Sequence, residues 1–269
     1  VANRMVIYHA QCRDGWAAAW AASKAFSGPV LYAAMYGSEP PPVDGRDVLL
    51  VDFCYPQDVL MRMAGDAERI RVLDHHKTAE EALAGLPWAT FDMNRSGAGI
   101  AWDELLGGPR PWLIDYVEDR DLWRWALPNS REVNAFIGTL PYGQPEHVTA
   151  WDAASLMPLA EAVSAGRHIQ QAVRRYAENV CENARARNIG GWTVPSVNAP
   201  QHDISEVLEC LLDKQKGCTF AHGWWQRADG KFAQSLRSRG AFDVSAVAKM
   251  YGGGGHRNAS GFQTEEIIP

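Results

Sequence analysis

Several short segments of this 269-residue sequence end on side chains that suit hard divalent cations. His9 closes the apolar run MVIYHA and Asp14 follows shortly after it. Asp52 closes DVLLVDF, and Asp74, His75 and His76 close RIRVLDHH. Further on, VEDRDLW offers Asp119 and Asp121. Carboxylate oxygens suit Mg2+ and Mn2+, and imidazole tilts a mixed set towards Mn2+. Hydrolysis of a phosphoester needs charge neutralisation on the phosphoryl oxygens, a hydroxide at neutral pH and stabilisation of the leaving oxygen. Two divalent ions about 3.5–4 Å apart supply all three. His9, Asp14, Asp52, His75 and an aspartate of VEDRDLW form a candidate set for that chemistry, with Mn2+ or Mg2+ as cofactor and two ions expected. A single histidine at a strand end is ordinarily a surface residue. Three strand ends carrying His or Asp point instead to a metal site.

The elements that must position these residues are legible in the hydrophobic pattern. MVIYHA, VLYAAMY, DVLLVDF and RIRVLDHH read as strands, and WATFDMN as a further one. GWAAAWAASKAF and QDVLMRMAGDAE read as helices. Strands alternating with helices predict an α/β fold with a mainly parallel, doubly wound sheet. Ligands of such sheets sit beyond the C-terminal strand ends, where the polar residues cluster. After Asn94 the pattern turns helical: GAGIAWDELL with Ser96 as its cap, PWLIDYVEDRDLWRW starting at Pro111, and SREVNAFIGT with Ser130 as its cap. A long helix from about Ser155 to Arg187 reads as a connection, and its basic residues read as a solvated face. From Trp192 a smaller α/β unit follows: strand WTVPSVNA, helix DISEVLECLLDKQ, hairpin CTFAHGWWQ and KFAQSLRS around ADG, helix DVSAVAKMYG and the stretch GGGGHRNASGF. The expected division is a metal-binding domain over 1–150, a helical linker over 151–190 and a substrate-binding domain over 191–269.

Composition narrows the function classes. Apolar residues make up 46% and charged residues 22%, as in a soluble protein with a sizeable core. No apolar run reaches the roughly 18 residues that span a bilayer, and the first residues do not read as a secretory signal. The five cysteines form no CxxC pair, which favours a reducing compartment. A cytoplasmic protein without a membrane partner is the expectation. A net charge of −6 and a pI of about 5.8 argue against a protein that tracks long nucleic acid. They favour a short oligonucleotide or nucleotide substrate, with bound cations supplying the positive field. The eleven tryptophans read as core or subunit contacts, which admits a homodimer, and a minority could stack on bases.

In the smaller unit, the glycine run lets the backbone approach an anion, and successive N–H groups there can form a phosphate nest. Gly253, Gly254, Gly255, His256 and Asn258 are the candidates, with Arg237 of SLRS able to grip a phosphate through its planar fork. The bland alternative is a tight turn after a helix.

LDHH after an apolar strand resembles the motif of DHH phosphoesterases. It occurs here in order with YHAQCRDGWAAA, VDFCYP, NRSGAGIAW, VEDRDLWRW and GGGGHRNASGF, the last resembling the glycine-rich motif of the DHHA1 domain. The resemblance covers nearly the whole chain and is closest to RecJ-like and oligoribonuclease-like members. It implies that His9, Asp14, Asp52 and His75 bind metal, with Asp52 bridging two ions. It makes His76 and Asp74 catalytic, with His76 meeting the substrate phosphate and Asp74 orienting a neighbour. Asp121 matches the fourth-motif ligand, and Asp119 is the nearby alternative. Many members carry DxD in the first motif, whereas this sequence has Cys12-Arg13-Asp14. That removes one hard ligand, and a thiolate prefers softer ions. The resemblance implies an exonuclease-like hydrolase that binds a short oligonucleotide or single-stranded nucleic acid between its two domains and releases mononucleotides. The alternatives are a phosphatase or pyrophosphatase acting on a small phosphorylated nucleotide, cyclic dinucleotide or polyphosphate, and a non-catalytic nucleotide-binding protein.

Overall fold

The computed structural model describes residues 3–268, so the expected domain ends at residues 1, 2 and 269 lie outside the described residues. The chain divides into two units, 1–169 and 170–269. In the first, the strands are β1 (Arg4–His9), β2 (Val30–Ala34), β3 (Asp47–Val51), β4 (Arg69–Asp74) and β5 (Ala89–Phe91). The helices are α1 (Arg13–Ala25), α2 (Gln57–Asp66), α3 (Lys77–Leu83), α4 (Gly97–Leu105), α5 (Trp112–Asp121), α6 (Ser130–Ile137) and α7 (Val148–Leu156), followed by α8 (Leu159–Cys181), within which the division falls.

The five strands form one sheet in the order β2-β1-β3-β4-β5, and every pair is parallel. Alternate strand residues feed two apolar layers. Val6, Tyr8, Leu49, Val51 and Leu73 pack with α1, α4 and α5, while Met5, Ile7, Val48, Leu50 and Val72 pack with α2 and α3. The sheet is therefore doubly wound, as the strand-helix alternation predicts. Residues Ala17–Ala22 of α1 are all buried, and apart from Trp20 they are alanines whose small side chains let α4 pack closely against that helix. Trp16, Trp20 and Trp151 are core residues, and the last two satisfy their indole N–H groups through Asp152 and the Pro141 carbonyl. Chain order reverses at β1, which has β2 on one side and β3 on the other. That makes a switch point between β1 and β3, where doubly wound sheets bind ligands.

The second unit holds β6 (Arg185–Ile189), β7 (Trp192–Asn198), α9 (Ile204–Lys214), β8 (Phe220–Gln226), β9 (Phe232–Ser238), α10 (Val244–Lys249), β10 (Gly254–His256) and β11 (Ala259–Thr264). Its mixed sheet runs β10-β11-β9-β8-β7-β6. One apolar layer packs it with α9 and the other with α10.

Three local expectations are corrected. The helix expected to run to Arg187 ends at Cys181, because Arg185–Ile189 pairs with β7 as an edge strand. The helix of PWLIDYVEDRDLWRW ends at Asp121, because Asp119 captures the Ala126 and Leu127 N–H groups and turns the chain. Ser130 is not a cap. Asn129 holds that position and the Ser130 hydroxyl donates to Asp119. Ser96 does cap α4, accepting from Gly99 N–H at 3.1 Å. Among the described residues, no helix is long and apolar enough to cross a membrane.

Candidate metal centre

The C-terminal strand ends bring His9, Asp52 and His75 together, and Asp14 enters from the first turn of α1. His75 Nε2 lies 3.1 Å from Asp52 Oδ1, 3.5 Å from Asp14 Oδ2 and 3.5 Å from Asp121 Oδ2. His9 Nδ1 approaches Asp52 Oδ2 at 3.7 Å, and His76 Nδ1 approaches Asp52 Oδ1 at 3.9 Å. Asp52 therefore stands between two groups of donors, as a bridging ligand must. Asp14, His75 and Asp121 form one set of converging atoms, and His9, Cys12 and Asp52 another.

The fit to a cation rests on the carboxylates. Asp52 Oδ2 and Asp121 Oδ2 are buried and accept no hydrogen bond. Buried oxygens of this kind are costly unless something positive faces them. Burial and the neighbouring Asp121 and Asp52 push Asp14 well above the usual carboxylate range. Burial likewise raises Asp121, with Asp52 adding to it and His75 opposing. For Asp52 burial acts upward, but His75, His9 and His76 outweigh it and hold that carboxyl well below its usual value. Burial alone would lower His75, yet Asp52, Asp121 and Asp14 push it up to about 10. A cluster that draws a proton onto buried imidazole is one in which a divalent cation relieves carboxylate repulsion. Mixed oxygen and imidazole donors fit Mn2+ or Mg2+.

The N-terminus of α4 holds the cluster in place. Asp14 accepts from Gly97 N–H at 2.6 Å and Ala98 N–H at 3.0 Å, at the start of α4. Those unpaired amides and the helix dipole favour a carboxylate there. A Cβ on Gly97 would lie 2.4 Å from Asp52 Cβ, and one on Gly15 would lie 2.5 Å from the His9 carbonyl oxygen. Only glycine permits these approaches. Glu118 accepts from Ser96 N–H at 2.9 Å and from Arg110 at 3.1 Å, which anchors the α4 start. Gln11, Asp52, Trp123 and Trp125 have φ between 52° and 56° and flank His9, Cys12 and Asp121 in sequence. Left-handed backbone at non-glycine residues often gathers around functional sites.

Asp74 Oδ1 accepts from the His75 N–H at 2.7 Å, the His76 N–H at 3.3 Å and His76 Nδ1 at 2.7 Å. Burial opposes protonation of His76, but Asp74 and Asp52 outweigh it and raise its pKa. With Nδ1 donating to Asp74, its Nε2 can present a second proton. Cys12 faces the cluster beside His9 and Asp52, and burial with the charges of Asp52, Asp121 and Asp14 keeps it a neutral thiol.

The structure separates the two fourth-motif candidates. Asp121 joins the cluster, whereas Asp119 spends both oxygens on Ala126, Leu127 and Ser130. Glu118 and the α4 amides were missed from sequence. The signal available was a glutamate directly after the apolar face of WLIDYV.

In the second unit the glycine run is used in part by the fold itself. The Gly252 and Gly253 N–H groups donate to the carbonyls of Lys249 and Ala248, and Gly254 and Gly255 lie in β10. A Cβ on Gly253 would lie 2.2 Å from the Gly261 carbonyl oxygen, so the glycines let β10 fold tightly onto β11. Asn258 is also committed, its amide donating to Ser238 Oγ and the carbonyls of Gly240 and Phe242. Arg237 and His256 remain grouped, because both pair in register with Ala259 across β9, β11 and β10. Directly paired residues share a sheet face, so guanidinium and imidazole rise in one row. Ser205 and Ser235 hold the Arg237 guanidinium.

Residues 192–268 match the DHHA1 domain family. An uncharacterized protein of Acanthamoeba polyphaga mimivirus is 26% identical across 96% of this chain, and the chain spans 66% of that relative's length. Among solved structures, the pGpG-specific phosphodiesterase PggH of Vibrio cholerae is similar with a TM-score of 0.52 at 14% identity, covering 97% of this chain and 92% of that one. An exopolyphosphatase-related protein of Bacteroides fragilis gives a TM-score of 0.55 at 13% identity, covering 98% and 87%. At these identities the two structures share the fold.

Proposed function

We propose that this chain, supported as a DHH-family phosphoesterase by its DHHA1 domain and shared fold, hydrolyses phosphodiester bonds of short oligonucleotides and releases mononucleotides. The observation that carries this reading is the convergence of Asp14, Asp52, Asp121 and His75, with buried carboxylate oxygens that accept no hydrogen bond, beside a histidine that Asp74 favours in its protonated form. His9, Asp14, Asp52, His75 and Asp121 would hold Mn2+ or Mg2+. Such ions neutralise phosphoryl charge and make water more acidic.

The remaining work falls to the chain's own groups. Asp74 fixes the ring of His76 and keeps a proton on Nδ1, so that Nε2 can donate to a phosphoryl or leaving oxygen. The α4 amides hold Asp14 against rotation. Arg237 and His256 are assigned to the substrate phosphate, with the glycines and Asn258 shaping the hairpin that carries His256. The likeness to PggH, whose name gives a linear dinucleotide as substrate, supports the short-oligonucleotide reading. The likeness to an exopolyphosphatase-related protein favours the second reading, hydrolysis of a small phosphorylated nucleotide or polyphosphate.

An Mn2+-supplemented assay across 5′-phosphorylated dinucleotides, short RNA, single-stranded DNA, cyclic dinucleotides, adenosine bisphosphate and polyphosphate separates the two. Mononucleotides from the dinucleotides are the expected product. Orthophosphate from polyphosphate, with the dinucleotides left intact, would establish the second reading instead.

A further inference from the structure

Tyr36 lies beside the metal cluster and takes no part in the chemistry above. It occupies the second position of a turn after β2, in which the Met35 carbonyl accepts from Ser38 N–H at 3.1 Å and from Ser38 Oγ at 2.6 Å. Gly37 follows with φ +83°, the left-handed conformation that a type II turn requires at its third residue. The turn is thus doubly hydrogen-bonded and fixes where the tyrosine leaves the backbone. Its ring centroid is 5.1 Å from His9, edge-on, 5.0 Å from Phe53 and 6.4 Å from His76. His9 and His76 are themselves 6.2 Å apart. Despite these neighbours Tyr36 is 53% exposed, and Met35 beside it is 47% exposed. The ring packs edge-on against His9 and beside Phe53, while about half of the residue's surface stays exposed next to the groups assigned to the scissile phosphate.

We propose that Tyr36 is a nucleobase platform, which makes the substrate class a nucleotide rather than a bare phosphate chain; this rests on the phosphoesterase reading above. A phosphate at His76 carries its nucleoside within reach of the neighbouring ring. Stacking tolerates any base, because every base has a π-face. A polyphosphate chain gains nothing from an aromatic surface, and a substrate-positioning role for the phenol hydroxyl would need the oxygen rather than the ring.

The test is calorimetric binding of adenosine monophosphate and of ribose 5-phosphate, each with Mn2+, to wild type, Tyr36→Phe, Tyr36→Leu and Tyr36→Ala. Wild type and Tyr36→Phe should prefer the base-bearing ligand by about tenfold, and the preference should collapse towards unity in Tyr36→Ala. Tyr36→Leu keeps the bulk without the π-face and should also lose it. A preference retained in Tyr36→Ala, or one lost equally in Tyr36→Phe, would overturn the proposal. If wild type binds neither ligand with Mn2+, the phosphoesterase reading fails and the platform with it. If both bind wild type equally, the platform alone is refuted.

Discussion

At the scale of single residues, the departure from the DxD pattern is the informative position. Cys12 points at the cluster as a neutral thiol, a poor ligand for a hard ion. Cys12→Asp should therefore lower the Mn2+ concentration for half-maximal activity, by about tenfold, or about 1.4 kcal/mol of added ion affinity. The same carboxylate crowds three others when no cation is bound, so the melting temperature should fall without metal and recover with it. Activity against Mn2+ in wild type and variant, with parallel melts, measures both. An unchanged or raised metal requirement in folded Cys12→Asp would refute the assignment. The candidate ligands His9, Asp52 and His75 were legible because they close strands, and Asp14 because it follows one closely in the first turn of α1. The choice between Asp119 and Asp121 was not, because it depends on where α5 stops, and that is decided by amides beyond the helix.

At the scale of elements, α4 is the part that positions Asp14. Its first residues press so closely on the site that Gly97→Ala would drive a Cβ into Asp52. That variant should remain folded and lose Mn2+ affinity, which isothermal titration reports; full affinity would show that the α4 start can shift. Glu118 anchors the same turn through Ser96 and Arg110. Glu118→Ala should destabilise by about 2 kcal/mol, the cost of stranding a charge-assisted hydrogen bond, read from chemical denaturation. The sheet of the second unit carries its own titrating element. His222 is fully buried between Ser196 Oγ and Gln234 Oε1, each at 2.8 Å, and burial lowers its pKa to about 4. Unfolding returns it towards about 6.5. The unfolded chain then binds more protons between those values, so stability is present above pH 6.5 and lost as pH falls towards 4. Between pH 7 and 4.5, wild type should lose about 2–3 kcal/mol more than His222→Gln, in which this group cannot titrate. Equal losses would mean that His222 is not the group responsible.

At the scale of the whole molecule, the parallel, doubly wound sheet was legible from alternating apolar runs, since pattern and period are local properties. The site positions within the second unit were less so. The glycine run reads as an anion loop in sequence, yet the Gly252 and Gly253 amides close the end of α10, and Gly254 and Gly255 pair with β11, a partner the sequence does not name. Arg237 and His256 become neighbours only through strand register, and Tyr36 becomes notable only once the turn after β2 places it beside His9. These relations join residues distant in sequence, which periodicity cannot reveal. A catalytic cation held by the strand ends of the first unit is the claim on which the rest depends. It is tested most directly by the Mn2+ dependence of mononucleotide release from a 5′-phosphorylated dinucleotide, in wild type and in His75→Ala. Wild type should require the ion, and the folded variant should fall by about 100-fold or more at saturating Mn2+. Turnover near the wild-type rate in folded His75→Ala, or hydrolysis by wild type that persists in chelator, would contradict it.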